Sequence, residues 1–192
     1  MAKDGIEVEV KIPVDKKLFK DIKRKVKSEA KFENTSRVVD IYFNAPHRNF
    51  LAGTRTEEFL RVRSNKSGSY FTYKHGYWNS KNEHMCSDEF ETRVENGEKL
   101  KKILSVLDFK KILTIDKIRE IYNQGDKFEI CFDEVKYLGY FIEIESLKNF
   151  GGTEKTMEKL YGYAKSLGLD PTKRDSKGYV TLMMEKKHLF GR

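Results

Sequence analysis

Two stretches near opposite ends of the chain pair carboxylates at the period of a β-strand: Glu7-Val8-Glu9-Val10-Lys11 and Glu143-Ile144-Glu145. Side chains two residues apart on a strand share a face and lie about 7 Å apart, at roughly 3.3 Å rise per residue. Two such carboxylates can serve one hard divalent cation or a pair of them. Lys11, on the same face, can hold an anion that the cation also touches. Glu89 and Glu91 repeat the spacing, and Asp133 stands on the polar parity of another candidate strand. Bases recur in the same manner as Arg61 and Arg63, as Lys117 and Arg119, and as Lys74 on the parity of Thr72. Arginine can bond two oxygens of one phosphate, and lysine supplies a compact charge. A chain of phosphates with Mg²⁺ or Mn²⁺ satisfies both sets.

These residues sit on eight candidate strands. Ile6–Ile12 alternates Ile6, Val8, Val10 and Ile12 against the charged parity. The others are Ser36–Asn44, Glu58–Ser64, Tyr70–His75, Cys86–Val94, Lys111–Asn123, Phe128–Lys136 and Tyr140–Leu147. Most are joined by hairpin signals such as Asn65–Gly68 and Gln124-Gly125-Asp126. Helices are predicted from Asp15 to about Ser28, over residues 98–108 and over Thr153–Leu167, with a short helix or strand at Gly178–Lys187. His47–Thr56 reads as a loop anchored by Phe50 and Leu51.

Composition narrows the partners. The 192 residues suffice for a single domain, 1–192, with a real core, and no proline-rich or low-complexity tract divides them. Charged residues make up 35% and the net charge is +8, which favours anionic partners. The 30 acidic residues nevertheless recur within strand patterns, which points to a mixed-charge cavity and phosphate compounds, and ranks nucleic acid below them. Cys86 and Cys131 form no metal spacing or disulfide framework, and no apolar run approaches a membrane span, so a cytoplasmic setting is expected. His47, His75, His84 and His188 show no ligand spacing.

Acid pairs on three strands and bases on three others are not the pattern of a merely solvated sheet face. An antiparallel sheet curled into a barrel would turn the charged parity inward and the apolar parity outward, under the helices. Charges at that density are costly to desolvate, and a ligand would compensate. Arg93, Glu129 and Cys131 share inward parity, at strand ends or as small filler. Aromatic candidates for holding an organic group are Phe43, Phe71, Tyr73 and Trp78, each also suited to packing.

The ordered set Glu7-x-Glu9-x-Lys11, Asp40-Ile41-Tyr42-Phe43-Asn44, Leu60-Arg61-Val62-Arg63, Thr72-Tyr73-Lys74, Glu89-x-Glu91, Lys117-x-Arg119-x-x-Tyr122, Asp133 with Leu138-Gly139, and Phe141-Ile142-Glu143-Ile144-Glu145 resembles the CYTH, or triphosphate tunnel metalloenzyme, family across the whole chain. It is most similar to the class IV adenylyl cyclase branch. The resemblance implies an α+β fold: an eight-stranded antiparallel β-barrel with helices packed outside. It implies Mg²⁺ or Mn²⁺ held by Glu7, Glu9, Glu143 and Glu145, with Glu91 and Asp133 as further ligands. Lys11, Arg61, Arg63, Lys74, Lys117 and Arg119 would bind phosphates.

The implied activity is conversion of ATP to 3′,5′-cyclic AMP and pyrophosphate. Hydrolysis of a nucleoside, thiamine or inorganic triphosphate is the alternative, and a non-catalytic polyphosphate- or nucleotide-binding module stands third. Nucleic-acid binding through the basic first helix and Lys173-Arg174 ranks below these. The expected partner is ATP or another organic triphosphate, without a membrane, and a homodimer is compatible with it.

Overall fold

Alternation becomes strand wherever the sequence carries it, and the computed structural model describes residues 6–51, 57–81 and 83–187. The strands are β1 (Ile6–Glu7), β2 (Glu9–Val14), β3 (Lys31–Asn44), β4 (Glu58–Asn65), β5 (Gly68–Trp78), β6 (His84–Val94), β7 (Lys110–Gln124), β8 (Phe128–Val135) and β9 (Gly139–Ser146). The helices are α1 (Lys16–Glu29), α2 (Gly97–Val106), α3 (Thr153–Leu167) and α4 (Gly178–Lys186), with a 3₁₀ turn at Pro171–Lys173. Part of the loop expected at His47–Thr56, residues 52–56, lies outside the described residues, as does His188. Phe50 does anchor the loop: it is buried, and its N–H donates to Asn44 Oδ1 at 2.8 Å.

All strand pairs are antiparallel, in the order β1-β6-β5-β4-β3-β7-β8-β9-β2. The expected count of eight is therefore corrected to nine, because the opening stretch breaks at Val8. Glu7 pairs with Ser87 of β6, whereas Glu9 pairs with Glu145 of β9. One continuous segment thus contacts both edges of the sheet and turns it into a nearly closed barrel. The expected second strand also begins earlier, at Lys31, because its first residues pair with the similarly long β7.

The apolar parity of β2, β8 and β9 faces outward as expected. Val8, Val10, Ile12, Ile130, Phe132, Ile142 and Ile144 pack against Phe19, Ile22 and Val26 of α1 and Met157, Leu160 and Ala164 of α3. Each such side chain contributes about 1.5–3 kcal/mol when fully buried. The spacing 19, 22, 26 places α1's apolar stripe on the sheet, while Lys16, Lys17, Lys20, Arg24 and Lys27 are exposed.

The inward parity is not charged along its whole length. Tyr42, Leu113, Ile115, Val135 and Phe141 share parity with Asp40, Lys117, Asp133 and Glu143, yet form a buried cluster with Tyr179, Val180, Met183 and Met184 of α4. The rim made by the ends of β2, β3, β5 and β8 and the starts of β4, β6, β7 and β9 is thus partly filled by α4. The expectation that helices pack outside the barrel holds: α1 and α3 cover the apolar parity of β2, β8 and β9, α2 packs Leu104 against Phe43, Leu60 and Val62, and α4 lies over one rim. Among the described residues, no helix is long and apolar enough to cross a membrane.

Candidate active site: a charged tunnel

The barrel interior encloses a cavity of about 270 Å³. Every expected base lines it, namely Lys11, Arg61, Arg63, Lys74, Lys117 and Arg119, together with Glu7, Glu9, Glu89, Glu91, Glu143 and Glu145. Period-two alternation brings these side chains to one surface. Antiparallel register then sets them abreast: Lys11 is level with Glu143, Arg119 with Asp133, and Lys74 with Glu89.

The cations are held by carboxylates beneath or beside them. Arg63 donates through Nε and Nη2 to the two oxygens of Asp40 at 2.7 and 2.9 Å. Burial pushes the Asp40 carboxyl up, but Arg63 and Arg61 overcome it and hold the group well below the usual carboxylate range. Arg61 donates to Thr72 Oγ1 and Glu89 Oε1, both at 3.2 Å, and Thr72 donates in turn to Glu91 Oε2 at 2.8 Å. Lys74 contacts Glu7 and lies 3.5 Å from Glu89. Glu7 Oε2 accepts no well-aligned hydrogen bond, so this contact is a charge pairing only.

Asp133 is fully buried and does not line the cavity. Lys117 Nζ reaches it at 2.8 Å, Arg119 Nε and Nη2 at 2.7 and 2.6 Å, and the Tyr179 hydroxyl at 2.8 Å. Its oxygens are thereby occupied in positioning two bases. Glu143 accepts from Arg119 at 2.9 Å and lies 3.2 Å from Lys11, which also donates to Glu9 at 3.0 Å. Burial and the neighbouring Arg119 charge lower Lys117 to about 8.

The opposite imbalance occurs across β8, β9 and β2, where Glu129, Glu145 and Glu9 stand abreast. Burial, Glu9 and Glu129 push the Glu145 carboxyl up to about 8, and burial with Glu143 raises Glu9. Among the described residues Glu145 accepts no hydrogen bond and forms no ion pair. This row has surplus negative charge and hard oxygen donors, which fits a divalent cation. Among the described residues, no three acidic, histidine or cysteine side chains converge tightly enough to form a metal centre by themselves.

Several lining groups were not read from sequence. Asp40 and Tyr42 face inward with Arg61 and Arg63, and their shared parity on β3 was the available signal. Residues 175–180 line the cavity by bridging its seam: Asp175 N donates to Lys11 O on β2 at 2.7 Å, and Arg174 Nη1 to His84 O on β6 at 3.0 Å. No local pattern announces that bridge. Arg174 also lies over Tyr161, so the basic loop is docked on the fold. Glu129 lines the cavity, whereas Arg93 is exposed and reaches Ser67 O at 3.4 Å. Cys131 is buried outside the cavity lining, and both cysteines are free thiols. Of the aromatic candidates, Phe43 is core and Phe71 and Tyr73 pack against it, while Trp78 lines the cavity.

Residues 5–179 match the CYTH domain. The chain belongs to the CYTH, or triphosphate tunnel metalloenzyme, family. Members of this CYTH family act on organic triphosphates. The chain is 33% identical over 178 residues to a Methanocaldococcus jannaschii protein named "Putative adenylate cyclase MJ0240", covering 92% of this chain and 98% of that one. The solved structure of PH1819 from Pyrococcus horikoshii OT3 is similar at 31% identity and TM-score 0.78, covering 94% of this chain and 99% of that one. PH1012 from the same organism is similar at 30% identity and TM-score 0.76, over 92% and 98%.

Proposed function

We propose that this CYTH protein is a metal-dependent enzyme acting on an organic triphosphate, and that its reaction is cyclisation of ATP to 3′,5′-cyclic AMP with release of pyrophosphate. The observation that carries the reading is the mixed-charge cavity, which brings Arg61, Arg63, Lys117 and Arg119 of β4 and β7 onto one surface with the carboxylate row of β2, β8 and β9. The name of the M. jannaschii relative supports the cyclase form.

Glu9 and Glu145, with Glu7 and Glu143 beside them, would hold Mg²⁺ or Mn²⁺, which bound there would polarise phosphate oxygens and lower the pKa of a coordinated hydroxyl. The cations of this chain bind and orient the three phosphates. They are preorganised for that task, because Asp40 and Asp133 fix the guanidinium planes of Arg63 and Arg119 before any ligand arrives. The ribose 3′-hydroxyl then attacks the α-phosphorus, forming the cyclic ester as the bond to the β-phosphate oxygen breaks and the hydroxyl proton passes to solvent. Lys11, Lys74 and Arg61 neutralise charge gathering on the departing pyrophosphate.

Purified protein incubated with ATP and Mg²⁺ or Mn²⁺ is expected to yield cyclic AMP and pyrophosphate, separated by anion-exchange chromatography. ADP with orthophosphate would place the chain among the triphosphatases instead. Replacing Arg61 by Ala is expected to weaken triphosphate binding by about ten- to a hundredfold, since charge-assisted hydrogen bonds contribute about 1.5–3 kcal/mol. Calorimetric titration checks this, and an unchanged affinity would remove Arg61 from the binding wall.

A further inference from the structure

We infer that Trp78, seated on Gly76 and flanked by His84, is the platform on which an uncharged nucleobase of the triphosphate substrate stacks; this rests on the triphosphate reading above. Most residues of the cavity wall are ionic, and ionic groups bind phosphates without reading what is attached to them. A base needs a flat, partly accessible ring beside that wall. Tyr42 and Tyr179 line the cavity but are buried in the α4 cluster, and Tyr179 is committed to Asp133. Phe59 packs edge-on against Tyr42, with centroids 6.3 Å apart.

Trp78 differs. It lines the cavity, is half-buried, and lies outside the apolar clusters. Its position is enforced by Gly76. A Cβ there would come within 2.4 Å of Cη2 and 2.8 Å of Cζ3 of the indole, so the ring rests on bare backbone and no other residue at 76 would leave room for it. A register shift between Tyr77 and Trp78 redirects the ring at the strand end. His84, across the hairpin, meets the indole edge-on with centroids 5.3 Å apart and is fixed by Ser87 Oγ, 2.9 Å from its Nε2.

Electrostatics selects the kind of ring that fits. Burial, with Lys74 and Lys11 nearby, lowers His84 to about 3, so the imidazole stays uncharged near neutral pH. An uncharged imidazole beside the indole is compatible with a neutral base. Trp78 lies four residues beyond Lys74 on β5, at most about 13 Å along a regular strand. A nucleotide laid along β5 can therefore place phosphates at Lys74 and its base on the indole.

Trp78 is the chain's single tryptophan, so its fluorescence reports on this platform alone. The wild-type protein is titrated with Mg²⁺ and either α,β-methylene-ATP, which cannot release pyrophosphate, or inorganic tripolyphosphate, with binding followed by calorimetry. Both are expected to bind, and only the nucleotide to quench and shift the emission. Trp78→Leu is expected to lose about tenfold in affinity for the nucleotide, with tripolyphosphate affinity unchanged. Equal quenching by both ligands, or nucleotide affinity unaltered in the variant, overturns the platform while leaving the triphosphate reading standing. Binding of neither ligand to the wild type overturns that reading and the platform with it.

Discussion

Replacing Glu145 by Gln is expected to reduce triphosphate turnover by about two to three orders of magnitude while making the metal-free protein more stable in mildly alkaline buffer. The loss follows from removing a charge from the row proposed to hold the cation. The gain follows from the same row's crowding. Burial, Glu9 and Glu129 push Glu145 from an ordinary 4.5 to about 8. A carboxyl raised in this way favours folding most below about 4.5, and that contribution is lost as pH rises through about 8. Urea unfolding of the metal-free wild type should accordingly show stability falling across that window, and the Gln variant should show a flatter profile. Full activity in the variant would remove Glu145 from the cation site, and an unchanged pH profile would show that the row is not crowded. Glu9→Gln is expected to lose activity likewise.

Asp133→Ala is expected to act in the opposite sense and lower stability by about 3–5 kcal/mol at neutral pH. Asp133 accepts from Lys117, Arg119 and Tyr179, and its removal strands two buried cations. Burial raises its carboxyl, but Arg119 and Lys117 prevail and lower it below the ordinary 3.8. Its contribution is therefore present above about 3.8 and lost as pH falls through the depressed value. Chemical denaturation at neutral pH checks the magnitude. A loss below about 1 kcal/mol would mean that the cations relax into water, as exposed pairs do. Two carboxylates in one barrel thus carry opposite stability signs, because one faces cations and the other faces carboxylates.

Parity accounts for much of what the amino-acid pattern conveyed. Glu7, Glu9 and Lys11, then Arg61 and Arg63, then Glu143 and Glu145 are on the inner face because side chains alternate along any strand, whatever the strand pairs with. The outward placement of Val8, Val10 and Ile12 follows for the same reason. Asp133 shares that parity, yet its role was not legible. Whether a carboxylate holds a cation or holds two bases depends on its cross-strand neighbours, Arg119 above all. Trp78 was visible as a candidate, but only the close approach of its ring to Gly76 shows how it is held in the cavity wall.

The sequence by itself determined the charged inner parity, the hairpin order and the resemblance to the triphosphate tunnel family, since these depend on residue type and local period. Tertiary structure alone decided that the opening stretch splits at Val8 to join both sheet edges, that α4 fills one rim, and that residues 174–175 bridge the seam. Those features arise from closing the sheet. Closure brings together segments far apart in the chain, and no local pattern in either partner records where the other will lie.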